Sequence, residues 1–266
     1  MLQSINPKFV VLIMLKIVIL GTGNLAKHLH DAFTKAKNVN VVQVVGRNTQ
    51  ALHQFCDKSE VTDNFKAIVD ADVYIIAVKD DVIGKVSKFV ANKKGVVAHT
   101  SGAMPMAVVH STKKGVFYPL QTFTKGKVVD FSTIPICIEA SDTESLKVLE
   151  LLARSISENV HPIDSEQRKK LHLAAVFVNN FTNYLYGVGE EICLQEGLSF
   201  NLLKPLILET AEKIKTMPPK KAQTGPARRN DRQSMQGHLE LLKNEEHITL
   251  YKLLSRAIIQ AHEEEL

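Results

Sequence analysis

The chain has 266 residues, 45% of them apolar and 23% charged, which leaves room for two ordinary domains and excludes a disordered or low-complexity protein. The net charge of +5 is spread among acidic residues, apart from a patch near Lys220, Lys221, Arg228 and Arg229, so it suits an anionic cofactor without implying nucleic acid. Cys56, Cys137 and Cys193 show neither CxxC nor Cys/His ligand spacing, which argues for a reducing, cytoplasmic setting and against a metal site.

Residues 1–14 read as an extension ahead of the fold. The apolar run from Phe9 to Leu20 is short, carries Lys16 and leads into a Gly-rich turn, so no signal peptide or membrane helix is expected there. From 15 to 163, β-branched runs alternate with amphipathic stretches, the pattern of a Rossmann-type doubly wound, mostly parallel α/β sheet. Strands are expected at Lys16–Leu20, Val41–Val45, Val73–Ala77, Val96–His99, Val116–Tyr118 and Ile134–Ile138. Helices are expected at Asn24–Ala36, Thr49–Lys58 and Asp81–Asn92. From 164 to 266 the period turns helical, predicting an all-α domain with helices at Ser165–Gly197, Leu202–Thr216, Arg232–Lys243 and His247–His262. The segment from Met217 to Pro226 is its one Pro/Gly-rich loop.

The chemistry starts where the first strand ends. Gly21-Thr22-Gly23-Asn24-Leu25-Ala26 follows an apolar strand and opens a helix, the context that gives a GxGxxA match its meaning. Gly21 permits the tight turn, Gly23 lets backbone approach a pyrophosphate, Ala26 lets the helix pack on the sheet, and unpaired amides attract phosphate. The second strand ends in Arg47-Asn48 where an NAD-preferring domain carries an acid. Arg47 can pair with a ribose 2′-phosphate and Asn48 can add a hydrogen bond, so NADP is favoured over NAD.

Val78, His99, Thr100 and Ser101 fall at the carboxyl ends of later strands, where ligands bind in open α/β folds, and are expected near the nicotinamide half of a cofactor. His99 can act as a general acid or base, or can cap its loop. On the first long helix, His172 and Asn179 or Asn180 can share one face, or can bond to neighbouring elements. The loop with Thr224, Arg228, Arg229 and Asp231 carries residue types that close on an anionic or carbonyl substrate, although an Asp-type helix cap is the plainer reading of Asp231.

Together Gly21–Ala26, His99-Thr100-Ser101-Gly102, Tyr118-Pro119-Leu120-Gln121-Thr122-Phe123, His172-Leu173-Ala174-Ala175 with Asn180-Phe181, and Thr224-Gly225-Pro226 with Arg229, Asp231 and His238 resemble a family of two-domain Rossmann proteins of uncharacterised function grouped as NADP oxidoreductases. That family is similar in build to pyrroline-5-carboxylate reductase, 6-phosphogluconate dehydrogenase and the deazaflavin-dependent NADP reductases. The resemblance covers nearly the whole chain from about residue 14. It implies an NADP-binding domain, a helical substrate domain that dimerises through its helices, and a cleft between the two; it also makes Gln121 a candidate substrate contact. Tyr118 departs from the His that relatives tend to carry before the Pro. His172 with Asn179 or Asn180 stands where better-known dehydrogenases of this build use Lys and Asn.

The expected activity is hydride transfer between NADP(H) and a small carbonyl, imine or hydroxy compound. His99 or His172 would be the acid/base, Ser101 and Asn180 would hold the reacting oxygen or nitrogen, and Arg229 would anchor a negative group. The alternative is a non-catalytic NADP-binding sensor or dimeric interaction module.

Overall fold

The computed structural model describes residues 14–263; the expected extension at residues 1–14 lies outside them except for Met14. The chain forms two compact units, one ending at Val176 and one beginning at Phe177.

The first unit is built on one eight-stranded sheet of order β3-β2-β1-β4-β5-β6-β7-β8. Its strands are β1 (Leu15–Leu20), β2 (Val39–Val45), β3 (Glu60–Thr62), β4 (Val73–Ile76), β5 (Val96–His99), β6 (Lys114–Pro119), β7 (Ile136–Ala140) and β8 (Val160–Pro162). The run β3 to β6 is parallel throughout, β7 pairs antiparallel with β6, and β8 pairs parallel with β7. The first six strands in this order give the nucleotide-binding arrangement of doubly wound folds.

The apolar runs are continuous because both sheet faces are covered. In β1, Leu15, Ile17 and Ile19 face one layer while Val18 and Leu20 face the other, the period of two that a strand imposes. The first layer holds Ala26, Leu29 and Phe33 of α1 (Asn24–Phe33) and Leu149, Leu152 and Ala153 of α4 (Thr143–Arg154). The second layer holds Ile68, Ile83 and Val90, around the short α3 (Ile83–Ser87).

Several sequence expectations shift here. The helix expected over Thr49–Lys58 is a single α turn, α2 (Thr49–Leu52), continued as 3₁₀. Asp81–Asn92 is likewise a 3₁₀, α, 3₁₀ relay. The strand expected at Ile134–Ile138 sits at Ile136–Ala140, since Pro135 has no N–H for the ladder. The three-residue strands β3 and β8 and the helix α4 were not expected. The helix α5 (Ser165–Ala175) packs with the first unit, so the compact units part at Val176/Phe177 rather than at the expected 163/164. The reason is a buried ion pair between Arg168 of α5 and Glu139 of β7.

The second unit holds helices and no strand among its described residues: α6 (Thr182–Gln195), α7 (Lys204–Thr216), α8 (Pro219–Ala222), α9 (Arg232–Leu241) and α10 (Glu245–Ala261), with short 3₁₀ turns. The Pro/Gly-rich loop contains α8 as a single turn started by Pro219. Val176–Phe181, expected as plain α-helix, is π-helical. No helix among the described residues is long and apolar enough to cross a membrane.

Candidate functional site

The turn after β1 is shaped for an anion. Gly21 adopts φ +137°, and a Cβ there would lie 2.0 Å from the Ala77 carbonyl oxygen, so only glycine fits. Gly23, by contrast, would project a Cβ into open space, with no heavy atom within 4 Å. Gly23 is also the N-cap of α1, which has no side-chain cap and no acidic residue in its first turn. The opening amides and the positive end of the helix are therefore left for an external anion. Ala26 is fully buried against the sheet, the close helix packing expected of it. Leu25 packs on the same core layer, and Val78 lines the far side of the turn, its Cγ1 3.3 Å from where a Gly21 Cβ would stand.

The turn is braced on two sides. Gln54 Nε2 donates to the Thr22 carbonyl at 3.3 Å, and Asn24 Nδ2 donates to the Phe123 carbonyl at 3.1 Å. Gly46, next to Arg47, leaves space for Thr22, whose Cγ2 would lie 2.4 Å from any Cβ at that position. A groove of about 1210 Å³ runs from this turn over α1, lined by Thr22, Gly23, Asn24, Asn48 and Gln50 among others. Arg47 stands exposed beside it, and Asn48 Oδ1 caps α2 by accepting from Ala51 N–H at 2.9 Å. Asn48 Nδ2 remains to donate to a ligand. These features fit a dinucleotide: an open phosphate cradle, with a cation at the neighbouring strand end.

At the carboxyl ends of β5 and β6 the candidate residues divide. His99 is completely buried, and its Nδ1 accepts the Ser101 N–H at 3.1 Å, so it serves as the cap of its own loop. Burial, reinforced by the nearby Arg168 guanidinium, pushes its imidazole down to about 4, and a backbone contact with Pro105 offsets only part of this. The Ser101 hydroxyl accepts from the Ala103 and Met104 amides at 3.1 and 3.0 Å, which commits it to the same loop. The structure therefore favours the capping reading of His99 over direct proton transfer.

A consequence is testable. Below its ordinary value of 6.5 the unfolded chain binds a proton at His99 that the folded chain refuses until about pH 4. Stability from this group is complete above pH 6.5 and is lost as pH falls toward 4, by on the order of 3 kcal/mol. Urea midpoints of wild type and His99→Asn between pH 7.5 and 4.5 should diverge in slope, the variant losing less; parallel slopes would contradict the assignment.

His172 takes a different place. It lies on α5, half-buried, with Nδ1 3.1 Å from the Tyr118 hydroxyl at the end of β6. Gly102 lies against both rings: a Cβ there would stand 2.7 Å from His172 Nδ1 and 2.8 Å from Tyr118 Cζ. Behind them, Arg168 is wholly buried, pairing with Glu139 and donating to the Met104 carbonyl at 2.6 Å. Ser165 Oγ donates to the same Glu139 carboxylate at 2.8 Å and accepts the Met106 N–H at 3.0 Å. The sequence marked Tyr118 only as a departure and gave no sign of its pairing with His172. Arg168 sits in a Ser-Glu-Gln-Arg-Lys-Lys run that reads as a solvated helix start.

Of the other expected contacts, Gln121 is exposed and its Oε1 accepts from its neighbour Thr122 N–H at 2.8 Å. Asn180 is exposed within the π-helical turn, so α-helical i+7/i+8 spacing from His172 does not carry through to it. In the second unit Thr224 and Arg229 are exposed. Asp231 is the N-cap of α9, with Oδ1 accepting from Ser234 N–H at 3.0 Å. The Ser234 hydroxyl and amide hold the Asp231 carboxyl below its ordinary range, with Arg229 and His238 adding to the effect. The helix-cap reading of Asp231 is the one the structure takes.

Comparison with known proteins draws its boundary inside the first unit, ahead of β7. A family model described as "NADP oxidoreductase coenzyme F420-dependent" matches residues 16–101, and one described as "Domain of unknown function (DUF2520)" matches residues 134–258. The chain is 40% identical to the "putative NADP oxidoreductase BF3122" of Bacteroides fragilis, over 92% of this chain and 98% of that one, with a TM-score of 0.85. It shares its fold with a pyrroline-5-carboxylate reductase from Coxiella burnetii (16% identity, 94% and 98% covered, TM-score 0.57). It also shares its fold with an imine reductase from Myxococcus stipitatus in complex with NADP+ (13% identity, 94% and 93% covered, TM-score 0.59). No curated protein matches the chain. The NADP-oxidoreductase match, the DUF2520 match and 40% identity over nearly the full length of the Bacteroides fragilis protein place this chain in the family of two-domain NADP oxidoreductases.

Proposed function

We propose that the protein transfers a hydride between NADP(H) and a small carbonyl, imine or hydroxy compound, with His172 serving proton transfer. One observation carries the reading: the open phosphate cradle at Gly23 and the His172–Tyr118 pair both belong to the carboxyl edge of one sheet. The bound nicotinamide supplies or accepts the hydride. The chain's own residues hold the diphosphate at the start of α1, the 2′-phosphate at Arg47 and the proton at His172. His99 and Ser101 act one step back, by fixing the loop that carries Gly102. Asn180 and Arg229, both exposed, are the candidates for holding the reacting atom and a negative group of the substrate. Imine reductase and pyrroline-5-carboxylate reductase, among the proteins sharing the fold, support a C=N substrate.

Calorimetric titration of NADP+ and NAD+ into wild type and Arg47→Ala tests this. Loss of Arg47 should weaken NADP+ selectively by about 1–3 kcal/mol, which is about 5- to 150-fold in Kd. Equal weakening of both nucleotides removes Arg47 from that role, and no binding of either to wild type removes the oxidoreductase reading itself.

The working form is a homodimer joined through its C-terminal helices. Phe181, Tyr184, Leu194, Leu206 and Leu208 are all exposed on the second unit, more apolar surface than isolated chains ordinarily leave in water. A monomer mass in sedimentation at micromolar concentration would exclude this. The unpaired Cys56, Cys137 and Cys193 support a cytoplasmic setting.

A further inference from the structure

The hydroxyl of Tyr118 is the side-chain partner of His172, and their meeting is built into the backbone. Tyr118 is fixed by strand register opposite Cys137 and packs with Val116, Cys137, Met106, Leu120, Ile163 and Leu171. Its ring meets that of His172 edge-on, with centroids 6.0 Å apart and planes at 74°. Any residue larger than glycine at position 102 would push between them.

Which partner donates follows from the burial of the phenol. Tyr118 is 9% exposed, and among the described residues His172 Nδ1 is the one acceptor in hydrogen-bond reach of its hydroxyl. Were Nδ1 to carry the proton and donate, the phenolic hydrogen of this largely buried ring would face no acceptor among the described residues, at a cost of about 1–3 kcal/mol. Burial, with Cys137 beside it, pushes the Tyr118 hydroxyl up to about 12, against a smaller opposing pull from Arg168, so the group stays a donor across the working range. Tyr118 O–H donating to Nδ1 leaves the neutral ring with its proton on Nε2.

We propose that Tyr118 is the positioning residue that holds His172 as its Nε2–H tautomer, and that Gly102 is required because it lets the two rings meet. The proposal rests on the role of His172 given above. When Nε2 passes its proton to the oxygen or nitrogen of the substrate, the Tyr118 hydroxyl proton moves to Nδ1; a proton from solvent then binds Nε2 and the Nδ1 proton returns to the phenolate, which restores the starting tautomer. In the opposite direction the same transfers run backward.

The test is long-range ¹H–¹⁵N spectroscopy of the full chain with ¹⁵N-labelled histidine, with NADP+ present, His172 being assigned by its loss in His172→Gln. Wild type should show the proton on Nε2, while Tyr118→Phe and Gly102→Ala should show a mixture of tautomers. Unchanged NADP+ affinity in Tyr118→Phe will confirm that its nucleotide half is intact. A wild-type proton on Nδ1, or an unchanged tautomer in Tyr118→Phe, overturns the proposal. A kinetic arm follows NADPH consumption with 1-pyrroline and with cyclohexanone. Tyr118→Phe should lower kcat by about tenfold or more with KM for NADPH unchanged, less than the ~10²–10⁴ a general acid contributes in full. If wild type turns over neither probe, that counts against the proposed hydride-transfer reading, and the tautomer spectra still decide the role of Tyr118.

Discussion

Gly21→Ala is expected to abolish measurable nucleotide binding and to lower the melting temperature of the protein by roughly 6–12 °C. The added methyl would stand 2.0 Å from the Ala77 carbonyl oxygen and 2.7 Å from the carbonyl carbon. Neither is the end of a flexible side chain; both belong to the backbone at the end of β4, which is locked between β1 and β5. The residue would also have to hold φ +137°, which an L side chain resists. Strain plus collision comes to about 3 kcal/mol or more. Gly23→Ala is the control that separates shape from ligand. Its φ of −76° suits any residue and its Cβ would meet nothing. That variant should melt like wild type yet bind NADP+ about tenfold or more weakly, because the space it fills is the space the diphosphate needs. Scanning calorimetry with nucleotide titration reads both effects. Wild-type affinity in Gly23→Ala would show that no phosphate approaches there.

Arg168→Met should be nearly as damaging, for an electrostatic reason. The guanidinium is fully buried, and its loss leaves the Glu139 carboxylate without its countercharge and the Met104 carbonyl without its donor. Breaking one side of such a pair costs about 3–5 kcal/mol. The pair itself is not thereby worth that much. The double variant Glu139→Leu/Arg168→Met, which removes both charges and keeps the volume, should recover about 2 kcal/mol or more of the loss. Urea unfolding of the two single variants and the double variant closes the cycle. Additive losses would mean the two residues act independently. Among the described residues the Nε of Arg168 meets no hydrogen-bond partner, so part of any recovery comes from removing that donor.

The parallel half of the sheet was legible because Leu15–Leu20, Val73–Ile76 and Val96–His99 are apolar runs closed by polar or glycine signals. The glycine turn was legible for the same reason, since strand, turn and helix are contiguous in sequence. Short edge strands carry too few residues for alternation to show, which hid β3 and β8. The helix α4 carries local signals, a capping Asp142 and apolar residues at helical spacing, yet it follows the last expected strand and the three-residue β8 beyond it is too short to mark it as a crossover. The pairing of Tyr118 with His172 spans 54 positions and depends on strand register and helix path together, so no local pattern encodes it. His99 shows the converse limit. Its place at a strand's carboxyl end is correct, but whether such a histidine faces ligand or core is decided by the loop folding back over it.

The reversal of direction between β6 and β7 has an effect well beyond one strand pair. In an all-parallel sheet the helix leaving a strand descends from the nucleotide rim to the opposite one. Here β7 and β8 point the other way, so α5 sets out from the far rim and climbs. Ser165 and Arg168 contact Glu139, opposite Val116, whereas His172 contacts Tyr118, two positions further along β6. The chain therefore leaves this unit at the rim where β1 and β6 end, carrying His172 there on the last turn of α5. One inverted strand pair thus turns a structural helix into a delivery arm.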